Sequence, residues 1–434
     1  MASKQYIKEI NLSLPLNGND EFFHTKKYIF NNNEYTIIKY NKDKLKVLET
    51  NQDNYFTTLS KCRSLIVRNN KLLVFSPEKS LNFDTFNKNY TNISNENNSW
   101  KDNCWLEDFI DGTMINVFFD NINNIWEIAT RSTVGGNIVF FNDIKNYSFF
   151  KCDNQFEHYN NITFRSMFFE SCNVNNFDLN TLDTNYCYSF VMQHPFNRIV
   201  TPLQRPFIYL VKAYKIDNTN FPLVNIIEKP ILELVNEPPY IFANTSVLFP
   251  SKYPIYQNSL QELKLIYDNK ELSFHNVGIF IYNKDGTRTK IRNVNYEEVR
   301  KLRGNQPKLQ YNYLCLKKEN KIKEFLYYYP EHIILFNKFK ILMFEYTNTL
   351  FTNYIDCFIK KTMHLKEYPF QYKNHMHHIH QQYISNLKPN NKIVDKKFVI
   401  DYVNNLHPAQ QMFVINYNNH NFTNINVENN EVME

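Results

Sequence analysis

Glycine is scarce, with only seven in 434 residues, so each one has to be read as a position where backbone freedom or close approach matters. Six of them, Gly112, Gly135, Gly136, Gly278, Gly286 and Gly304, lie beside the stretches singled out below. Gly286 reads as an ordinary turn glycine. Cysteine is little used as well. The seven (Cys62, Cys104, Cys152, Cys172, Cys187, Cys315, Cys357) form no CxxC pair and make an odd total, which argues against a disulfide framework or a zinc ribbon and for a reducing compartment. No stretch approaches the roughly 18 uninterrupted apolar residues of a membrane span. The opening MASKQYIKEINLSL lacks an apolar run with a cleavage site, so a soluble, intracellular protein is expected, with no membrane partner. A strong charge excess is also missing. Forty-nine basic residues face 43 acidic ones, a net +6, which mildly favours a polyanionic partner without identifying a nucleic-acid binder. No Walker loop, HExxH or serine elbow occurs, which removes the motif-based routes to those chemistries.

What is present is a core. Hydrophobic residues make up 43% and aromatics 16%, and the length exceeds what one core usually serves, so two domains are expected. From about residue 60 to 300 short β-rich runs are joined by polar turns: SLIVRNNKLLVFS around Asn69 and Asn70, TMINVFFDNINNIWEIATR, FIYLVKAYKI, and GIFIYNKDGTRTKIR with its Asp285-Gly286 turn. Such alternation predicts hairpins. ITFRSMFFESC and LQELKLIYDN read as helices between them, so the fold class is α+β with antiparallel sheets. After about residue 300 the period becomes helical: EEVRKLRG, PEHIILFNKFKILMFEYTNTLFTNYIDCFIKKTMHL, YKNHMHHIHQQYISNL, and DKKFVIDYVNNL stopping before Pro408. The divisions are an N-terminal extension over 1–55, an α+β domain over 56–300, an all-α domain over 301–420 and a polar tail over 421–434.

Four stretches offer chemistry. In TRTKIR, strand alternation puts Arg288, Lys290 and Arg292 on one face and Thr287, Thr289 and Ile291 on the other. Three cations on one face call for an anion opposite, or for a solvated edge that discourages aggregation. WEIATRSTVGGN brings Arg131 and then the Gly135-Gly136 turn, whose N–H groups are placed to face an anion. Arg198 in QHPFNRIVTP reads as a structural arginine paired with a carboxylate. His375 and His378, one helical turn apart, with His377 and His380 beside them, raise a metal site, but no carboxylate or cysteine at ligand spacing accompanies them. A solvated or partly packed helix face is the reading taken, and no metal ligands are assigned.

In order and spacing these stretches resemble the ATP-dependent RNA ligases of the phage T4 RNA ligase 1 type, members of the covalent nucleotidyltransferase superfamily. KCRSLIV and SPEKSLNF resemble the upstream elements, matching at Arg63, Lys79 and Asn82. FIDGTM is similar to the KxDG nucleotidylation motif and ATRS to the element that follows it. SFVMQHPFNRIV, NVGIFI and TKIR resemble the third motif, the Glu-Gly strand and the final Lys-x-Lys element. The helical segment resembles the tRNA-recognising tail of that subgroup. The resemblance spans about residues 55 to 415. It implies an antiparallel-sheet nucleotidyltransferase (adenylation) domain followed by a helical domain. Its nucleotide and phosphate contacts would come from Arg63, Lys79, Asp111, Gly112, Arg131, Lys290 and Arg292.

The same alignment puts hydrocarbon where that family keeps reactive groups. Ile110 stands where a lysine would attack the α-phosphorus of ATP. Val191 and Val277 stand where carboxylates would hold ribose and assist the metal. Losing a lysine from a buried pocket strands its carboxylate partners at about 3 to 5 kcal/mol, and losing all three together avoids that penalty. The expectation is a pseudo-ligase with no catalytic residue, binding RNA, tRNA-like ends or a nucleotide. The alternatives are an active ligase using ATP and Mg2+ with Lys79 as relocated nucleophile, and a structural or assembly protein with a protein partner that keeps only the fold. The composition would suit a cytoplasmic protein of a large DNA virus, in its factory or virion.

Overall fold

The computed structural model describes residues 7–16, 21–50, 55–91, 100–141 and 162–417. The chain divides into two compact units, Met1–Phe140 with Asn161–Arg300, and Phe141–Asn160 with Lys301–Glu434.

The first unit is built on antiparallel strands β1 (Ile7–Asn11), β2 (Phe23–Phe30), β3 (Asn33–Tyr40), β4 (Leu65–Arg68), β5 (Lys71–Phe75), β6 (Cys104–Asp108), β7 (Thr113–Asp120), β8 (Ile125–Ala129), β9 (Tyr186–Gln193), β10 (Phe207–Asp217), β11 (Leu223–Lys229), β12 (Lys252–Tyr253), β13 (Gly278–Asn283) and β14 (Arg288–Arg292). They form a six-stranded sheet in the order β1-β11-β10-β9-β7-β8 and two four-stranded sheets, β12-β6-β13-β14 and β2-β3-β4-β5. Residues 1–55, which the motifs leave unaccounted for, supply β1, β2 and β3. The β4–β5 turn places Asn69 and Asn70 at φ 48 and 57, the paired left-handed residues that a tight hairpin needs and that asparagine tolerates.

Alternation along the strands decides which core each side chain joins. Ile115 and Val117 of β7 face helix Phe164–Val174, packing with Met167, Phe168 and Cys172. Phe118, one residue on, turns to the opposite core with Ile37, Leu65, Phe75 and Tyr214. The β12-β6-β13-β14 sheet buries Ile279, Ile281 and Ile291 with Phe86, Leu260 and Leu263, from helices Phe83–Tyr90 and Leu260–Tyr267.

The second unit is helical in its described residues: Leu309–Lys318, Ile322–Tyr328, Ile333–Tyr354, Phe370–Gln382, Lys396–Asn405 and Pro408–Ile415. Two helix ends differ from the sequence reading. The run expected to continue to Leu365 leaves the α-helix after Tyr354, widens to a π turn over Ile355–Ile359 and breaks at Lys361, whose φ is 57. Pro408, read as a stop, starts a further helix, which suits proline because N1 has no hydrogen bond to lose.

Candidate functional site

The loop after β6 is fixed residue by residue. Asp108 accepts hydrogen bonds from Ser251 N and Tyr253 OH, both at 2.9 Å. Asp111, buried, accepts from Tyr296 OH at 2.7 Å and from Val200 N at 3.2 Å. The carboxylate expected at a nucleotide thus fastens helix Val294–Arg303 and the turn after β9 to this loop. Gly112 adopts φ +145, and a Cβ there would lie 2.6 Å from Met192 O and 2.7 Å from Val191 Cγ1. Its role is close packing on β9. Gly112→Ala is expected to destabilise the first unit by about 2 to 4 kcal/mol, through strain and overlap with backbone, read as a lower urea midpoint with unchanged slope.

Ile110 is half-buried between Phe109 and Asp111. Val191, on β9, is buried against Gly112. Val277 precedes Gly278 of β13, and its carbonyl accepts from Asn293 N at 3.1 Å. None of the three has an ionisable atom.

Cations gather on the next wall. Thr289 and Ile291 of β14 are 0% and 4% exposed. Arg288, Lys290 and Arg292 lie on the other face: Arg288 is 4.7 Å above the Phe280 ring, and Lys290 and Arg292 are 5.8 and 5.3 Å from the Phe109 ring. Lys290 Nζ has no hydrogen-bond acceptor among the described residues. Burial, followed by repulsion from Arg292, Arg63, Arg288 and Lys79, brings its ammonium down to about 7. Burial and the neighbouring Arg288 and Arg131 likewise lower Arg63 to about 10. Arg131 donates from Nε to the Arg63 carbonyl at 3.4 Å and covers the Tyr40 ring at 5.1 Å. The structure therefore brings Arg63, Lys79, Arg131, Lys290 and Arg292 into one electrostatic neighbourhood and adds Arg288.

Two of these cations have carboxylate partners. Lys79 lies 3.0 Å from Glu49 and 3.1 Å from the Ser80 carbonyl. Arg292 lies 3.1 Å from Glu297, which also holds Arg300, while Arg292 Nε is buried without a partner among the described residues. Glu49 and Glu297 carried no sequence signal, since their partners come from distant or differently curved segments. Asn82 caps helix Phe83–Tyr90, accepting from Thr85 N at 2.7 Å.

The Gly135 turn resolves differently from its sequence reading. Gly135 N donates to Ile128 O at 2.7 Å, so that amide is already used in closing the turn and does not face an anion. Arg198 Nε donates to Val200 O at 2.8 Å. In the second unit His375 Nδ1 lies 2.9 Å from Tyr402 OH, and His380 stacks on Phe358 at 3.9 Å. Among the described residues no group of three or more His, Cys, Asp or Glu is arranged to hold a metal. No helix among them is long and apolar enough to cross a membrane. Each carboxylate oxygen of Asp108 and Asp111, on either side of Ile110, accepts a hydrogen bond from a protein donor.

The Lys290 environment would make the binding of any anion beside it pH-dependent. The unfolded lysine stays protonated to about 10.5, whereas the folded one loses its proton near 7. Between those values the unfolded state binds more protons, so this group's contribution to stability rises with pH across the window. An anion reverses the preference by favouring the ammonium. Phosphate-ligand affinity is therefore expected to fall as pH rises through about 7, with proton uptake on binding, measured by calorimetry in buffers of different ionisation heat.

No family model and no curated protein sequence matches this chain. Among solved structures it is similar to one described as an archaeal ATP-dependent RNA ligase, form 2, with 11% identity and a TM-score of 0.35. The similarity covers 71% of this chain and 66%, just under two thirds, of that one.

Proposed function

We propose that the first unit grips a phosphate-rich ligand, a nucleotide or the backbone of RNA, without bonding to it, as a non-catalytic relative of RNA ligases. The observation that carries this is Lys290: a half-buried ammonium among Arg292, Arg63, Arg288 and Lys79 with no acceptor among the described residues. Like charges held together are costly unless an external anion neutralises them. The motif order in the sequence supports RNA or a nucleotide as that anion, and hydrocarbon at Ile110, Val191 and Val277 supports a grip without a covalent step. The test is fluorescence anisotropy of a single-stranded oligoribonucleotide titrated across salt. Binding that weakens linearly in log–log form supports the reading, and absence of binding at low salt defeats it.

A second reading has one observation behind it. A lysine brought down to about 7 is partly neutral at physiological pH and nucleophilic. If covalent chemistry survives, its amine belongs to Lys290 and not to Lys79, whose ammonium sits against Glu49. Incubation with α-labelled ATP and magnesium is expected to leave the protein unlabelled. Label lost in Lys290→Arg but kept in Lys79→Ala would establish the second reading.

A further inference from the structure

A cavity of about 380 Å³ in the first unit is lined from β1, β10 and β11 of the six-stranded sheet, from β13 and β14 of a second sheet, and from the segment after β5. It shares Lys79 and Arg288 with the cation cluster, but Phe109, Ile110, Arg131, Lys290 and Arg292 are not in its lining. Its size suits a small molecule. Its charge differs from the cluster's, with five basic and five acidic side chains in the lining. Lys8 pairs with Glu78 at 2.8 Å, Lys79 with Glu49 at 3.0 Å, and Lys212 with Glu228 at 2.6 Å. A triphosphate would have to displace these carboxylates; a ligand of no net charge would not.

The inner wall is shaped by an irregularity in β10. Ile208 and Leu210 point into the core beneath helix Phe164–Val174, and the register against β9 then shifts between Leu210 and Lys212. A bulge of this kind re-aims the side chains that follow it. Ala213 takes up the Leu210 face, while Lys212 and Tyr214 turn together into the cavity. Tyr214 is 2% exposed, and its hydroxyl has no hydrogen-bond partner among the described residues. Lys212 uses one of its three donors on Glu228. Arg288 stands beside them, donating to Tyr282 OH and to the Glu78 carbonyl, both at 2.8 Å. That hydroxyl belongs to a residue lining the cavity and keeps both its donor and its acceptor capacity for a ligand. Glu78, also in the lining, has Oε1 buried and 2.8 Å from Lys8 Nζ.

We propose that this cavity binds a small zwitterion of the α-amino-acid class, its carboxylate against Tyr214, Lys212 and Arg288 and its ammonium against Glu78. The inference goes beyond the phosphate reading and does not depend on it.

The test uses the full-length protein in thermal-shift and calorimetric titrations with each proteinogenic amino acid at millimolar concentration. The matching amide, the decarboxylated amine, inorganic phosphate and ATP serve as controls. At least one amino acid is expected to raise the melting temperature, and its amide and amine to fail. Tyr214→Phe keeps the ring and removes only the unpartnered hydroxyl, so the unliganded protein should melt no lower. Its amino-acid affinity should fall roughly tenfold, the loss of one hydrogen bond to a charged group. Glu78→Gln provides a second variant, expected to weaken the ammonium end. No amino-acid binding in the wild type, or affinity unchanged in both variants, overturns the proposal. Phosphate or ATP binding in place of amino acids that is lost in Tyr214→Phe overturns it too. Phosphate-ligand binding that is insensitive to Tyr214→Phe but lost on charge reversal at Lys290 and Arg292 concerns the other reading alone.

Discussion

Reversing the charge at Lys290 and Arg292 together is expected to weaken single-stranded oligonucleotide binding by about a hundredfold at moderate salt and to flatten the log–log salt slope by about 1.4. The size follows from what surrounds the pair. Lys290 is already held down to about 7 by burial and four neighbouring cations, so a bound phosphate relieves repulsion as well as gaining attraction. Replacing it by glutamate would instead give Arg63, Arg288 and Lys79 an internal counter-ion and close the site to anions. Lys290→Met makes a useful control. It removes a half-buried, repelled charge, so the melting temperature should rise while affinity falls, the trade expected where a residue is retained for binding and not for stability. Affinity and salt slope unchanged in the double reversal would remove Lys290 and Arg292 from any account of ligand binding.

Asp120→Ala is expected to be the most destabilising single change outside the hydrophobic cores, at about 3 to 5 kcal/mol. Asp120 is 1% exposed at the end of β7. It pairs with the buried Arg68 of β4 and accepts from Tyr35 OH of β3 at 2.8 Å. It also accepts from Ile122 N and Asn123 Nδ2, both at 3.0 Å. Truncation leaves a guanidinium and a phenol buried without their acceptor, and loosens the β2–β5 sheet from the six-stranded one. Burial pushes the Asp120 carboxyl up, but hydrogen bonds from Tyr35, Ile122 and Asn123 and the Arg68 charge outweigh it and hold it below the usual carboxylate range. A depressed folded value means that this contribution is present above the unfolded pKa and lost as pH falls through the folded one. The loss from Asp120→Ala, measured by urea unfolding, should therefore be large at neutral pH and shrink in acid.

Much of the architecture was legible because it is local. Hairpins with asparagine or Asp-Gly turns, alternation in β7 and β14, and the change to helical period near residue 300 are each written within a dozen or so residues. Alternation alone put Arg288, Lys290 and Arg292 on one face, and the structure has them there. What depended on distant partners was not legible. Nothing near Asp111 announces Tyr296, which is 185 positions away, and nothing near Lys79 announces Glu49. The Gly135 amide looked available because its acceptor, Ile128 O, belongs to the strand before the turn, where a bridge closes. Pro408 misled for a positional reason, since proline that ends one helix also suits the first turn of the next. The bulge in β10, which turns Lys212 beside Tyr214, has no sequence mark at all: Val211 is simply one residue more than β9 can pair.

A single experiment reaches the core of this picture: intact-protein mass spectrometry of the wild type after incubation with ATP and magnesium, followed by peptide mapping. If the proposed reading holds, with isoleucine where the resembled motif has its lysine, the protein should return its unmodified mass at saturating ATP. A mass gain of one adenylate, mapped to any side chain, would contradict a grip without a bond and hand the site back to catalysis.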